Sequence, residues 1–165
     1  MQLEPMAREL AVLLKARGDT VAVSESSAGG LVSAALLAQA GASKYFSGGG
    51  VIYTGPARKH FLGLPTRLPA AVRSSSEPYA ALAAETIRSQ FRSTWGLAET
   101  GAAGPSGNSY GDDAGHTCIA VAGPSTTLIT IETAQADREA NMWAFAEAAL
   151  SALLECVQQA RVDSK

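Results

Sequence analysis

Apolar residues open the chain at helical spacing. Leu3, Met6, Leu10, Leu13 and Leu14 recur every three or four positions, with Glu4, Arg8, Glu9 and Lys15 between them. That spacing predicts an amphipathic helix closed by Gly18. A short β-branched run follows, and Thr20–Ser24 is predicted as the first strand. Leu31–Ala40 (LVSAALLAQA) is almost wholly apolar or small, which predicts a helix buried on more than one side. Ala40–Gly50 reads as a glycine-rich loop. Gly49–Thr54 is the second predicted strand, and Pro56 suits the first position of a short helix that ends by Gly63. After a loop over Leu64–Ala70, Ser76–Phe91 is a long helix with Ser76 as its cap and Pro78 in its first turn.

Trp95–Glu99 is a weak strand by pattern, placed by context. It leads into Thr100–Gly115, the longest loop, and long loops in small domains tend to be functional. His116–Ala122 and Thr126–Glu132 flank a turn at Gly123–Ser125, so they predict an antiparallel hairpin. Asp137–Ala160 is the last helix, with an apolar stripe through Met142, Phe145, Leu150, Leu153 and Val157. The tail Val162–Lys165 is expected to fray. Helices alternate with strands up to the hairpin. The pattern predicts one α/β domain, a three-layer α/β/α sandwich on a mixed, mostly parallel sheet, with its core over about residues 3–160.

Composition narrows the function classes. Of the 165 residues, 47% are hydrophobic and 17% charged, so a full core is expected and disorder is not. The formal net charge of −2 gives no electrostatic case for nucleic acid or an anionic membrane as partner. No apolar run is long enough to span a bilayer, and MQLEPMAREL has no signal-peptide core; a cytoplasmic protein is expected. Cys118 and Cys156 lie in apolar segments and read as small core residues in a reducing compartment.

In α/β domains, chemistry gathers in loops outside the carboxyl ends of strands. Ser24–Gly30, Tyr53–His60 and Thr100–Gly115 qualify. The first is the most suggestive. A strand runs through Ser24, Glu25, Ser26 and Ser27 into two glycines and a helix, which offers hydroxyls beside free backbone N–H groups. A serine-rich turn that only caps a helix fits the same pattern. Neither GxxxxGK[ST] nor GxGxxG occurs, and no GxSxG elbow is present. Glu25, Asp112, Asp113 and His116 could ligate a metal, but no HExxH or paired CxxC spacing accompanies them, so no metal and no cofactor are expected.

These stretches carry a resemblance. SESSAGGLVSAALLAQAGASKYFSGGGVIYTGPARKHFLGL resembles the C-terminal domain of the competence/damage-inducible protein CinA, a domain that also occurs alone as nicotinamide-nucleotide amidase. The family's AESCTGG is matched by Ser24–Gly30. Its glycine-rich strand ending in TYS or YTN, followed by a helix with a lysine, is matched by Gly48–Lys59. Its TGIAGPxGG is matched by Thr100–Gly107, and its GTVxIAV strand by Gly115–Val121. The resemblance spans about Leu3 to Cys156. The nucleotide-processing domain that precedes this one in longer members is expected to be absent.

The resemblance implies hydrolysis of the carboxamide of nicotinamide mononucleotide to nicotinate mononucleotide and ammonia, without a cofactor. The family's attacking serine falls on Ser26 and its tyrosine on Tyr53. Its lysine falls on Arg58, which cannot act as a base because a guanidinium does not deprotonate. Lys59 reached by a shifted turn, Tyr53 or His60 is left to carry the proton, with Lys59 beside Tyr53 the leading candidate. Glu25, Ala28, Gly29, Gly30, Arg58, Thr100, Gly101 and Gly104 are expected substrate contacts. Backbone N–H groups at Ala28–Gly30 or in Gly101–Gly107 are expected to hold the oxyanion or the phosphate. Ser27 and Ala28 replace the family's Cys and Thr, Glu99 stands where the family carries a small or apolar residue, and His116 replaces a Thr. A nucleotide-binding module without turnover is the alternative. The expected partner is the mononucleotide, and the apolar helix Leu31–Ala40 leaves room for a homo-oligomer.

Overall fold

The computed structural model describes residues 3–162, which form five strands and five helices. They run α1 (Glu4–Arg17), β1 (Val21–Glu25), α2 (Leu31–Leu37), β2 (Phe46–Val51), α3 (Gly55–Ala57), α4 (Glu77–Phe91), β3 (Trp95–Ala102), β4 (His116–Ala122), β5 (Thr127–Glu132) and α5 (Arg138–Val162). Residues 163–165 of the expected fraying tail lie outside the described residues, and Val162 closes α5.

Local chemistry explains the main helices. Pro5 sits in the first turn of α1, and Gly18 ends that helix in the left-handed conformation that needs no Cβ. The Ser76 hydroxyl accepts from the Tyr79 N–H at 3.3 Å and starts α4.

The sheet order is β2-β1-β3-β4-β5. β1 pairs in parallel with both β2 and β3, while β3–β4 and β4–β5 are antiparallel. The sheet is mixed as expected, but only two of its four pairings are parallel. Helices α1, α2 and α5 cover one face, meeting Val21, Val23, Leu97, Ile119 and Val121. Helix α4 covers the other, where Ala80, Ala83 and Ala84 meet Ala22, Ala98 and Ala120. Small side chains on both surfaces let α4 lie close to the strands. Cys118 and Cys156 are buried free thiols, one packed on each face, and burial pushes both thiols above their ordinary range. Among the described residues no helix is long and apolar enough to cross a membrane.

Three elements, α2, β2 and β3, depart most from the sequence expectation. Helix α2 stops at Leu37, and a turn into a 3₁₀ segment at Ala42–Lys44 replaces its last residues. β2 begins at Phe46 and ends at Val51, so Tyr53 lies just beyond it. β3 continues to Ala102 because Thr100, Gly101 and Ala102 pair with Cys118, Thr117 and His116. Thr100 and Gly101 are thus strand residues, not loop. The carboxyl ends of the parallel strands β1, β2 and β3 share one edge of the sheet, so the segments after Glu25, Val51 and Ala102 emerge together.

Candidate active site

Two buried carboxylates build the Ser26–Gly30 turn. Glu25 ends β1 fully buried and accepts from the N–H groups of Gly30, Val32 and Ser33 and from the Ser33 hydroxyl, at 2.6–3.1 Å. It thereby satisfies the free N–H groups at the start of α2. Glu99 on β3 is 2% exposed and accepts from the N–H groups of Ser26 and Ala28 at 3.0 and 2.8 Å, and from the Thr117 hydroxyl at 2.8 Å. Burial pushes the Glu99 carboxyl above the ordinary carboxylate range; the three donors pull the other way, and Glu25 adds to the rise. The Ser27 hydroxyl donates to the Gly101 carbonyl at 2.7 Å and ties the turn to β3.

This bonding corrects two expectations. Glu25, expected as a substrate contact, has both oxygens occupied by the start of α2 and positions the turn. The N–H groups of Ala28, Gly29 and Gly30 are taken by Glu99, the Ser26 carbonyl and Glu25, so they do not form an oxyanion hole. Between residues 26 and 33 only the Ser27 N–H has no acceptor among the described residues. Ser26 itself is half-buried and is held through its backbone N–H and carbonyl, which leaves the hydroxyl uncommitted.

A second cluster joins β2, the loop after β3 and α5. Tyr53 is 56% exposed, and its hydroxyl accepts from Arg138 at 3.0 Å. The other arm of Arg138 donates to the Gly104 carbonyl at 2.7 Å. Asn141 is buried one turn further along α5 and donates to the Ala103 and Gln135 carbonyls at 2.7 and 2.9 Å. Arg138 and Asn141 therefore fix the loop that carries Gly104, and the sequence reading missed both. Thr100 and Gly101 are packed against neighbouring strands and the Ser75 backbone. The Thr100 hydroxyl accepts from the Ser75 N–H at 3.0 Å, and a Cβ on Gly101 would stand 2.4 Å from the His116 carbonyl. Gly104 is buried at φ +111°, and its Cβ would stand 2.7 Å from the Ala136 carbonyl. Its lack of a side chain serves chain packing rather than ligand approach.

Arg58, Lys59 and His60 lie on a π-turn over Arg58–Leu62, so their directions do not follow helical phase. Arg58 is 8% exposed and turns toward α4. Its guanidinium donates to the Tyr79 hydroxyl at 3.2 Å, to the Thr66 carbonyl at 3.0 Å and to the Ser74 hydroxyl, and stacks 4.9 Å over the Tyr79 ring. The Lys59 carbonyl accepts from the Gly63 N–H, while its exposed side chain makes no hydrogen bond or ion pair among the described residues. His60 is exposed and its ring meets Phe61 edge to face.

His116, weighed above as a metal ligand, has other work. Its two ring nitrogens face the Glu132 carboxylate and the Ser75 carbonyl, both acceptors, an arrangement that favours the doubly protonated, cationic ring. Burial opposes that charge, but the Glu132 and Ser75 bonds and the nearby Asp112 lift the His116 pKa above its ordinary 6.5. Among the described residues no group of three or more His, Cys, Asp or Glu side chains is placed to hold a metal ion. The raised pKa has a sign. Protonated His116 contributes its full stability below about pH 6.5, and that contribution fades as pH climbs through the raised folded value. Urea midpoints are therefore expected to fall between pH 6 and pH 8, with a smaller fall in His116→Gln; an equal slope in both proteins would contradict the assignment.

Comparison with known proteins bears on the family and the fold. The model of a family described as the CinA C-terminal domain matches residues 3–157. A CinA-like protein of a Synechococcus strain is 41% identical over 111 residues, 67% of this chain and 26% of that protein. One from Anaeromyxobacter dehalogenans is 41% identical over 126 residues, 76% of this chain and 31% of that protein. The chain thus spans less than a third of the length of these relatives. Among solved structures, the competence/damage inducible protein CihA from Agrobacterium tumefaciens superimposes with a TM-score of 0.87 at 26% identity, covering 94% of this chain and 96% of its own. A CinA superfamily protein from Klebsiella pneumoniae gives 0.85 at 25% identity, covering 95% and 98%.

Proposed function

The chain belongs to the CinA C-terminal domain family, and from that premise we propose that it is a nicotinamide-nucleotide amidase. It hydrolyses the carboxamide of nicotinamide mononucleotide, or a close relative, to nicotinate mononucleotide and ammonia, in the cytoplasm and without a cofactor. The observation that carries this reading is the Ser26 turn, which holds a free hydroxyl on a backbone fixed by Glu25 and Glu99.

The Ser26 oxygen adds to the amide carbon and gives up its proton. The developing oxyanion meets the Ser27 N–H, a donor placed on the residue after the nucleophile as in other serine hydrolases. Ammonia departs with a proton from the same relay, leaving an ester on Ser26. Water adds to the ester and restores the serine. Lys59 and Tyr53 are the leading carriers of the proton, with His60 as the remaining candidate. The Lys59 side chain has no partner among the described residues and sits on a long stem, free to swing, while Tyr53 is held by Arg138 at the rim.

A binding module without turnover is favoured by one observation. Arg58, at the family's lysine position, is locked onto Tyr79, Thr66 and Ser74 and supplies no base. Ammonia release from nicotinamide mononucleotide separates the two. Steady turnover that survives a chelator is the result expected of the amidase; saturable binding with no ammonia would leave the module reading standing instead.

A further inference from the structure

Arg58 is a buried cation whose partners are all neutral. It donates to a phenol, a serine hydroxyl and a carbonyl, and makes no ion pair among the described residues. A guanidinium taken out of water keeps its charge, and neutral acceptors only partly replace what water supplied.

That side chain lines a cavity of about 360 Å³, and two more arginines, Arg67 and Arg73, line it as well. Arg67 is exposed and has no side-chain partner among the described residues. Arg73 makes a two-pronged bond to Asp112 at 2.7 and 3.0 Å, so its charge is balanced within the wall. Asp112 is in turn held by Asn108 at 2.7 Å and lies 3.8 Å from His116. The lining therefore carries three guanidinium groups and no carboxylate, and Asp112 beside it is already spent on Arg73. Tyr110 closes one side with its ring 5.1 Å from the Arg73 guanidinium, and Leu68 gives the wall an apolar patch. A surplus of positive charge here is a local feature, because the chain as a whole carries a formal net charge of −2.

We propose that this cavity is an anion site that takes the phosphate group of a small phosphate ester. Planar forks of N–H donors match phosphate oxygens, a fixed positive surplus favours a dianion, and the volume falls in the range of small-molecule pockets, above about 300 Å³. The tyrosine ring and Leu68 offer a face for the organic part of the ester. None of Ser26, Tyr53 or Gly104 lines this cavity, so the site reaches beyond the Ser26 turn. A short bonded path still joins the two. Ser74 holds Arg58, the next residue Ser75 donates to Thr100, and Thr100 follows Glu99, which holds the Ser26 turn. The phosphate belongs either to the substrate or to a second small phosphate ester. Only the first identification rests on the amidase reading.

Isothermal titration calorimetry of the whole chain with inorganic phosphate, in a phosphate-free buffer of low ionic strength, tests the site without needing turnover. One saturable site is expected, weakened about tenfold or more by Arg67→Glu. Arg67 is exposed, so that variant is expected to fold normally, which melting temperature checks. Arg58→Lys, which keeps the charge but loses the fork, is expected to weaken phosphate binding less. No saturable heat, or heat unchanged in Arg67→Glu, would overturn the site. The source then follows from kinetics with nicotinamide mononucleotide. Phosphate competing with the substrate, and a raised KM in Arg67→Glu, identify the substrate's own phosphate. Phosphate binding that leaves KM untouched identifies a second ester. A protein that binds phosphate but releases no ammonia keeps the anion site and removes the amidase reading.

Discussion

Ser26→Ala is expected to lower ammonia release from nicotinamide mononucleotide by roughly a thousandfold or more, the scale of losing a serine nucleophile. Melting temperature and ligand affinity are expected to change little. The turn holds Ser26 through its N–H and carbonyl, and alanine keeps both. The neighbouring serines predict a different outcome. Ser24 is 3% exposed on the strand, and the Ser27 hydroxyl is spent on the Gly101 carbonyl. Ser27→Ala should loosen the turn and lower activity only in part. Side-by-side assays of the three alanine variants check this. Loss of turnover in Ser24→Ala or Ser27→Ala, with Ser26→Ala still active, would move the nucleophile elsewhere.

Glu99→Ala is expected to be the most damaging substitution for the fold of the site. It strands the Ser26 and Ala28 N–H groups and the Thr117 hydroxyl in a buried space with no acceptor. At about 1–3 kcal/mol for each stranded donor, partly relieved by water entry, the loss is about 3–5 kcal/mol. For a chain of this size that is a fall in melting temperature on the order of 10 °C. Glu99→Gln should cost much less, because its amide oxygen can accept both N–H groups while its NH₂ donates to the Thr117 oxygen. Glu99 acts through the turn it holds, so Gln should restore turnover as well as stability. Thermal melts and initial rates of the two variants test the assignment; equal damage from Ala and Gln would mean that the carboxylate itself, rather than the bonds it accepts, is required.

The Ser26 turn was legible because its signals are local. A β-branched run, four small or acidic polar residues and a glycine pair announce strand, turn and helix without reference to the rest of the chain. The same holds for α1 and α4, where cap residues and helical spacing mark the ends. What escaped depends on distant partners. β3 is extended by pairing with β4, which no propensity in Thr100–Ala102 reveals. Arg58 and Lys59 lie on a π-turn, and reasoning by helical phase fails there. Arg138 reaches Tyr53 across 85 positions of sequence, and nothing near it marks that reach. Glu99 did carry a usable signal. It follows the apolar strand residues Trp95–Ala98, and a charge forced into such a strand must find donors. Read that way, the residue noted only as a departure from the family pattern points to the turn it supports.

The covalent step is the centre of this account, and trapping by hydroxylamine tests it most directly. A serine ester formed from nicotinamide mononucleotide would be intercepted by hydroxylamine, giving the hydroxamate of nicotinate mononucleotide at the expense of the acid. Turnover in rising hydroxylamine, with products separated by chromatography, is predicted to shift from acid to hydroxamate while each mole of substrate still yields one of ammonia. Ammonia release with the acid as the only product at every hydroxylamine concentration would contradict the account and point to direct attack by water.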